Sequence, residues 1–247
     1  MRAPGGGPAV KRVREFAYAE WGAVAHDVAL RLRARGLRAL PLTLSSCAGI
    51  LALQLVQHSQ GAGDWVDRLG GVYATLPWWK ALLRTPLSLF VPDYSLPVWG
   101  LIVQVVVVFG IAETTVGARR SLGIALLATV AGTTFARYSL WVGPHGFLGL
   151  PVEGLIGRDT GPSAAVVALG VYVACRYRAW WTAGAVVAAI LIELVTITNL
   201  AGFEHLTAIA AVLLVYAAES WWQRRRDRPT GGPGAAPADR RPAGRSH

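Results

Sequence analysis

The sequence predicts an all-α integral membrane protein, and three observations support that fold class. Hydrophobic residues make up 53% of the 247 positions and charged residues only 15%, whereas soluble domains carry about 25% charged residues. The apolar residues form long blocks, as in a polytopic membrane protein. The net charge of +10 comes from basic residues at both ends and in short turns, which is typical of membrane topology and of contact with anionic lipid. We therefore expect no nucleic-acid partner.

The first segment, residues 1–38, is expected to be cytoplasmic and to contain a basic amphipathic helix. From residue 11 onward, apolar and basic side chains are interleaved with helical spacing: Val13, Phe16, Trp21, Val24 and Leu30 among Arg12, Arg14, Arg31, Arg33 and Arg35. Such a helix suits the inner membrane surface and its anionic lipids. The alternative is a plain solvated helix.

The membrane domain, residues 39–222, is predicted to contain six spans, at 40–57, 96–112, 122–142, 160–175, 180–198 and 203–222. Basic residues occur before the first span, at Arg119 and Arg120, at Arg176 and Arg178, and after the last span. These positions are the two flanks of the domain and every second connection between spans, so all of them lie on the same side of the membrane. The positive-inside rule therefore predicts a multi-pass plasma-membrane protein with both termini in the cytoplasm.

Two regions outside the spans are long enough to be described separately, the first connection and the C-terminal tail. Residues 58–95 form a connection that is long for a compact membrane domain and contains Trp65, Trp78 and Trp79, so we expect an interfacial, partly inserted loop. Residues 223–247 are rich in Pro, Gly, Arg and Ala, which predicts a disordered, basic cytoplasmic tail.

The fourth span is short, and this makes Ser163 a candidate nucleophile. Its length of about 16 residues gives about 24 Å of helix, against a bilayer core of about 30 Å. The helix should therefore begin inside the membrane, with unpaired amides at the positive end of its dipole. Gly161 permits close backbone approach and Pro162 suits a first turn. The alternative is that Ser163 is a small packing or capping residue.

His205, in the sixth span, is predicted to lie at a similar depth. An imidazole in a membrane segment suggests function, and a neutral one can accept the proton of a serine hydroxyl. Small residues on both segments would let the two helices approach closely: Ala164, Ala165 and Ala168 on one, Thr207, Ala208 and Ala211 on the other. The alternative is an interfacial histidine bonded to a loop carbonyl.

These features together resemble the rhomboid family of intramembrane serine proteases. The resemblance covers roughly residues 40–222 and lies in the six spans, the long first loop, Gly161-Pro162-Ser163-Ala164 and His205. A structural motif of the family, a glutamate followed four positions later by a glycine, is similar to Glu113 and Gly117 here. The region of Arg84 and Thr85 also resembles a family motif of the first loop. The resemblance implies that Ser163 is the nucleophile, that His205 is the general base, and that the Ser163 amide with Gly161 supports the oxyanion. It also implies that the substrates are transmembrane segments.

Two departures from the family pattern leave catalysis open. The residue after Ser163 is Ala164 rather than glycine, and the second span lacks the family's oxyanion-stabilising His and Asn. Gln104 is the nearest polar candidate to replace them. Losing one oxyanion donor typically lowers the rate about 10²–10³-fold. The chain is therefore interpreted either as a protease or as an inactive rhomboid-like protein that binds transmembrane helices.

The remaining buried charges suggest supporting roles. Glu193 in the fifth span is interpreted as a group that orients His205, carries protons or pairs with Arg137. Glu113 is expected to be structural, accepting hydrogen bonds from the amides of the loop that follows it. The sequence contains no metal-ligand cluster, Walker loop or dinucleotide fingerprint, so no metal or cofactor is predicted. A small transporter is the third alternative, although the two halves show no repeat.

Overall fold

A computed structural model describes residues 7–59, 63–93, 97–151, 162–197 and 199–227 of the chain. Over these residues the regular structure is helical, which confirms the all-α prediction. The α-helices are α1 (Pro8–Arg35), α2 (Pro41–His58), α3 (Gly63–Gly70), α4 (Trp78–Ser88), α5 (Val98–Val116), α6 (Ala118–Val142), α7 (Ser163–Arg176), α8 (Trp180–Ile197) and α9 (Leu200–Arg226). A short 3₁₀ turn, Gly36–Ala39, joins α1 to α2.

Proline and glycine set several of these boundaries. Pro41 occupies the first turn of α2, where its missing N–H has no helical partner to lose. Between α5 and α6 the chain reverses at Gly117, whose φ of 92° lies in a region that residues with a Cβ rarely adopt. The Gly117 N–H donates to the Glu113 carbonyl and so ends α5.

Within the described part of the chain, three helices are long and apolar enough to cross a bilayer: α5, α8 and α9. The pair formed by α1 and α2, bent by 50°, would make a fourth. Helix α7 is apolar but has only 14 residues. This content supports a membrane protein, whereas the six-span arrangement stays a prediction.

Helix α7 lies at the centre of the bundle and packs against α5, α6, α8 and α9. Its alanines Ala165 and Ala168 are fully buried, as is Ala208 on α9. Small side chains at these positions allow the two helices to pack closely. Larger apolar residues fill the surrounding core: Phe109, Leu169, Tyr172 and Val212. Other apolar side chains on α5 and α8 face outward, as a lipid-facing surface requires: Val103, Val107, Ile192 and Val195.

The 58–95 connection is more ordered than expected, because α3 and α4 form within it. The Arg84 guanidinium donates to the carbonyl of Gly71 at 3.0 Å and so joins the two parts of this connection. Trp65, Trp78 and Trp79 are all exposed. Their exposure agrees with the expected interfacial location, where indole rings are favoured.

The basic N-terminal segment forms the helix that its periodicity predicts, but α1 is also docked onto the bundle. Glu20 is 7% exposed. Its carboxylate accepts hydrogen bonds from the N–H groups of Trp181 and Thr182 at 3.1 and 3.3 Å and from the Thr182 hydroxyl at 3.0 Å. Glu20 therefore caps α8 from another helix. Residues 223–226 of the predicted disordered tail belong instead to α9, and the tail from 228 onward lies outside the described residues.

Candidate functional site

The predicted site residues lie toward two opposite ends of the bundle. We call the end where α7 begins the Ser163 end, and the end where α5 finishes and α6 begins the Glu113 end. Ser163 and His205 lie toward the first, whereas Glu113 and Gly117 lie at the second.

Ser163 is the first residue of α7, and its side chain is exposed. The preceding residue, Pro162, is buried, and its carbonyl accepts from the Val166 N–H at 2.7 Å. Pro162 supplies no side-chain cap to α7, so the first amides of the helix remain as donors at the positive end of its dipole. Gly161, predicted to support an oxyanion here, lies outside the described residues.

His205 lies in the second turn of α9 and is half-buried. Its Nδ1 atom is enclosed and has no hydrogen-bond partner among the residues that the structure describes. The Glu193 carboxylate, on α8, is the acidic group whose charge acts on this ring. A buried ring nitrogen without a partner is unfavourable for stability, so its retention calls for an explanation.

Ser163 and His205 are carried by helices in direct contact, but no hydrogen bond joins their side chains in the structure. The two members of the predicted dyad therefore lie on neighbouring helices, Ser163 on α7 and His205 on α9. The hydrogen bond between them that proton transfer needs is not formed. In unliganded enzymes such contacts are often long and tighten only when substrate binds. The dyad stays a prediction.

The approach of α9 to α6 depends on a residue that the sequence analysis missed. A Cβ added to Gly132 would lie 3.3 Å from the Cβ of Glu204 and 3.4 Å from its carbonyl oxygen. Any larger residue would therefore push α9 away at the position next to His205. The signal for Gly132 was weak, because Gly is common in membrane helices. Glu204, which is 8% exposed, was detectable as an acid adjacent to the candidate base.

Two contacts hold the start of α9 in place. The Asn199 side chain accepts from the Gly202 N–H at 2.9 Å and caps the helix. Phe203 stacks on Phe135 of α6 with ring centroids 4.9 Å apart and an interplanar angle of 9°. These contacts fix the turn of α9 that carries His205.

Two other predicted partners lie elsewhere. Gln104 is exposed on the outward side of α5, beside the exposed Val103, and it forms no hydrogen bond with Ser163 or His205. Arg137 donates to the carbonyls of Leu76 and Tyr73, the latter at 3.1 Å. It forms no ion pair with Glu193 within the described part of the chain, because the 58–93 connection folds over α6 and supplies carbonyl acceptors.

At the Glu113 end, the predicted structural glutamate is 3% exposed and fully engaged. Its carboxylate accepts from the N–H of Leu42 and of Thr43, both at 2.7 Å, and from the Thr43 hydroxyl at 2.8 Å. The expected acceptor role is present, but the donors belong to the first turn of α2 rather than to the loop after α5. Charge-assisted bonds to a helix N-terminus are strong.

The same end contains three further polar contacts that were not expected from the sequence. Glu219 on α9 bonds with Arg120 of α6 and accepts from the Tyr172 hydroxyl of α7 at 2.7 Å. The Tyr177 hydroxyl donates to Asp27 of α1 at 2.6 Å. This hydrogen bond lowers the pKa of Asp27, and burial followed by the same bond raises the pKa of Tyr177 to about 12.

Within the described ranges, no group of three or more His, Cys, Asp or Glu side chains is placed to hold a metal ion. No family model, curated protein or solved structure matches the chain. A functional assignment therefore depends on the chain's own residues.

Proposed function

We propose that this protein is a rhomboid-like intramembrane serine protease with six spans, located in the plasma membrane with both termini in the cytoplasm. Its substrates are transmembrane segments of other membrane proteins. The observation that carries the proposal is the buried, unpartnered Nδ1 of His205, on a helix packed against the one that opens with the exposed Ser163.

In this reaction the Ser163 hydroxyl attacks the scissile carbonyl and the His205 imidazole takes its proton. The imidazole then protonates the leaving amine, and water hydrolyses the acyl-enzyme. The free amides at the start of α7 stabilise the oxyanion, because they lie at the positive end of the helix dipole. The glutamate on α8, Glu193, favours the imidazolium through its charge. Substrate helices with small, helix-breaking residues are preferred, since a helical amide must unwind before attack.

The second candidate is an inactive rhomboid-like protein that binds transmembrane helices without cutting them. It is favoured by the missing hydrogen bond between Ser163 and His205 and by the outward position of Gln104. Without side-chain oxyanion donors in the second span, the amides of α7 would have to stabilise the oxyanion alone.

A fluorophosphonate probe applied to the full chain in detergent tests the proposal. We expect labelling of the wild type and of the control Ser45→Ala, which removes an exposed hydroxyl on α2. Labelling should disappear in Ser163→Ala and in His205→Ala. Persistent labelling of Ser163→Ala would rule out Ser163 as the nucleophile. An unlabelled wild type that still retains transmembrane peptides would establish the binding function instead.

A further inference from the structure

A cavity lined mainly by basic and small residues lies at the Glu113 end, between the end of α1 and the turn joining α5 to α6. Its volume is about 120 Å³, well above the roughly 10–15 Å³ needed to hold one water molecule. Three arginines line it, Arg31 and Arg35 on α1 and Arg38 on the 3₁₀ turn, together with Gly117 and Ala118 at the start of α6.

The arrangement of the arginines follows from the helix that carries them. Arg31 and Arg35 are four residues apart and so lie on one face of α1. The chain then turns at Gly36, whose φ is 56°, and this turn brings Arg38 to the same cavity. All three side chains are exposed, and among the described residues none of their guanidinium groups has a hydrogen bond or an ion pair. Their donors are therefore available to a ligand.

The carboxylate that also lines the cavity does not neutralise the three arginines. Glu113 is the acid among the lining residues, but its two oxygens already accept three hydrogen bonds from Leu42 and Thr43. With three guanidinium groups and one carboxylate, the formal charge of the lining is +2, which matches a doubly charged anion. Arginine is the side chain best suited to a tetrahedral oxyanion, because its planar fork donates two parallel bonds.

We propose that this cavity binds a phosphate group, in the form of a phosphomonoester. Its position at the start of the membrane helices, beside the exposed apolar residues Leu30 and Leu37 of α1 and the 3₁₀ turn, suits the headgroup of an anionic lipid such as phosphatidic acid. A soluble phosphate has the same chemistry and is the other source. The proposal does not depend on Ser163 or His205. It gives a defined binding site for the anionic lipid whose contact was expected from the sequence.

The test compares two double variants of the full chain that remove equal charge from the same helix region. Arg35→Gln with Arg38→Gln changes the cavity, whereas Arg14→Gln with Arg33→Gln changes exposed arginines of α1 outside it. Lipid retention is measured by native mass spectrometry after release from phosphatidylcholine nanodiscs that contain a minor fraction of phosphatidic acid. Inorganic phosphate is titrated separately, and thermal unfolding confirms that both variants are folded.

We expect the cavity variant to bind phosphatidic acid about tenfold or more weakly than the wild type, because charge-assisted bonds to phosphate are lost. The control variant should change binding by less than about twofold, as exposed charges act only through screened attraction. Tight binding of inorganic phosphate that is lost in the same cavity variant would support the site with a soluble ligand. Equal weakening in both variants, or no retained phosphatidic acid and no phosphate binding in the wild type, would overturn the proposal.

Discussion

The two ends of the bundle treat their polar groups in opposite ways. At the Glu113 end, Glu113, Glu20 and Glu219 each accept at least two polar contacts from neighbouring helices. At the Ser163 end, the Ser163 hydroxyl is exposed, and Nδ1 of His205 is buried without a partner in the described structure. Satisfied polar groups stabilise a fold, whereas unsatisfied ones are retained at a cost and suggest chemistry. The comparison assigns scaffolding to one end and reactivity to the other.

The largest expected effect is on cleavage activity, and it should distinguish two serines that both lie near the Ser163 end. Ser163→Ala should lower cleavage of a transmembrane substrate at least about 10³-fold, because the nucleophile is lost, and should leave the unfolding temperature unchanged. The matched control is Ser139→Ala. The Ser139 hydroxyl accepts from the Leu150 N–H at 2.8 Å, so this variant should lose about 1–3 kcal/mol of stability and remain active while folded. Cleavage kinetics and thermal unfolding in detergent distinguish the two. Equal activity of both variants would contradict the division between the ends.

The next effect tests the scaffold. Glu113→Ala leaves a buried amide, a half-buried amide and a hydroxyl of α2 without an acceptor, and we expect a loss of about 3 kcal/mol in the free energy of unfolding. Glu193→Gln is the control at the opposite end, because the Glu193 carboxylate accepts no hydrogen bond among the described residues, and its stability should stay near that of the wild type. Chemical unfolding in mixed micelles measures both. A large loss in Glu193→Gln would show that the Ser163 end also has a structural acid.

Two glycine-to-alanine variants are expected to change the stability in opposite directions. Gly117→Ala should destabilise the protein by about 1–3 kcal/mol, because its φ of 92° is unfavourable for alanine although no atom obstructs the new Cβ. Gly123→Ala, inside α6 with equally open space, should stabilise it by up to about 1 kcal/mol. Thermal unfolding of both variants is the measurement. The same sign for both would refute the backbone explanation.

The smallest expected effect is a pH dependence at the contact between Asp27 of α1 and Tyr177, the residue that follows α7. Asp27 has a lowered pKa in the folded protein, mainly because Tyr177 donates to it. Its contribution to stability is therefore present above the unfolded pKa near 4 and is lost as the pH falls through the lower folded pKa. Tyr177→Phe should slightly lower the unfolding temperature at neutral pH, and the difference from the wild type should shrink below about pH 4. A difference that does not change with pH would assign the effect to packing.

The sequence predicted what depends on local chemistry. Apolar blocks located the long helices of the membrane domain, Pro162 preceded the start of α7, and Glu113 was expected to be a structural acceptor, although its donors come from α2 rather than from the following loop. It did not predict that Glu20 caps α8, that Gly132 receives Glu204 or that Arg137 binds loop carbonyls. These contacts depend on how each helix rotates and packs against partners distant in sequence, and a hydropathy pattern does not encode that rotation.

The cap that Glu20 provides to α8 has a consequence for biosynthesis. Its partner Thr182 follows it by 162 residues, and at about 5–20 residues per second the ribosome needs roughly 8–30 s to make that stretch. During this interval α1 can already pack against α5, but the Glu20 carboxylate has no α8 amides from which to accept hydrogen bonds. The hydrogen bonds from α8 to Glu20 therefore form only after α8 has been made, later than the packing of α1 against α5 becomes possible.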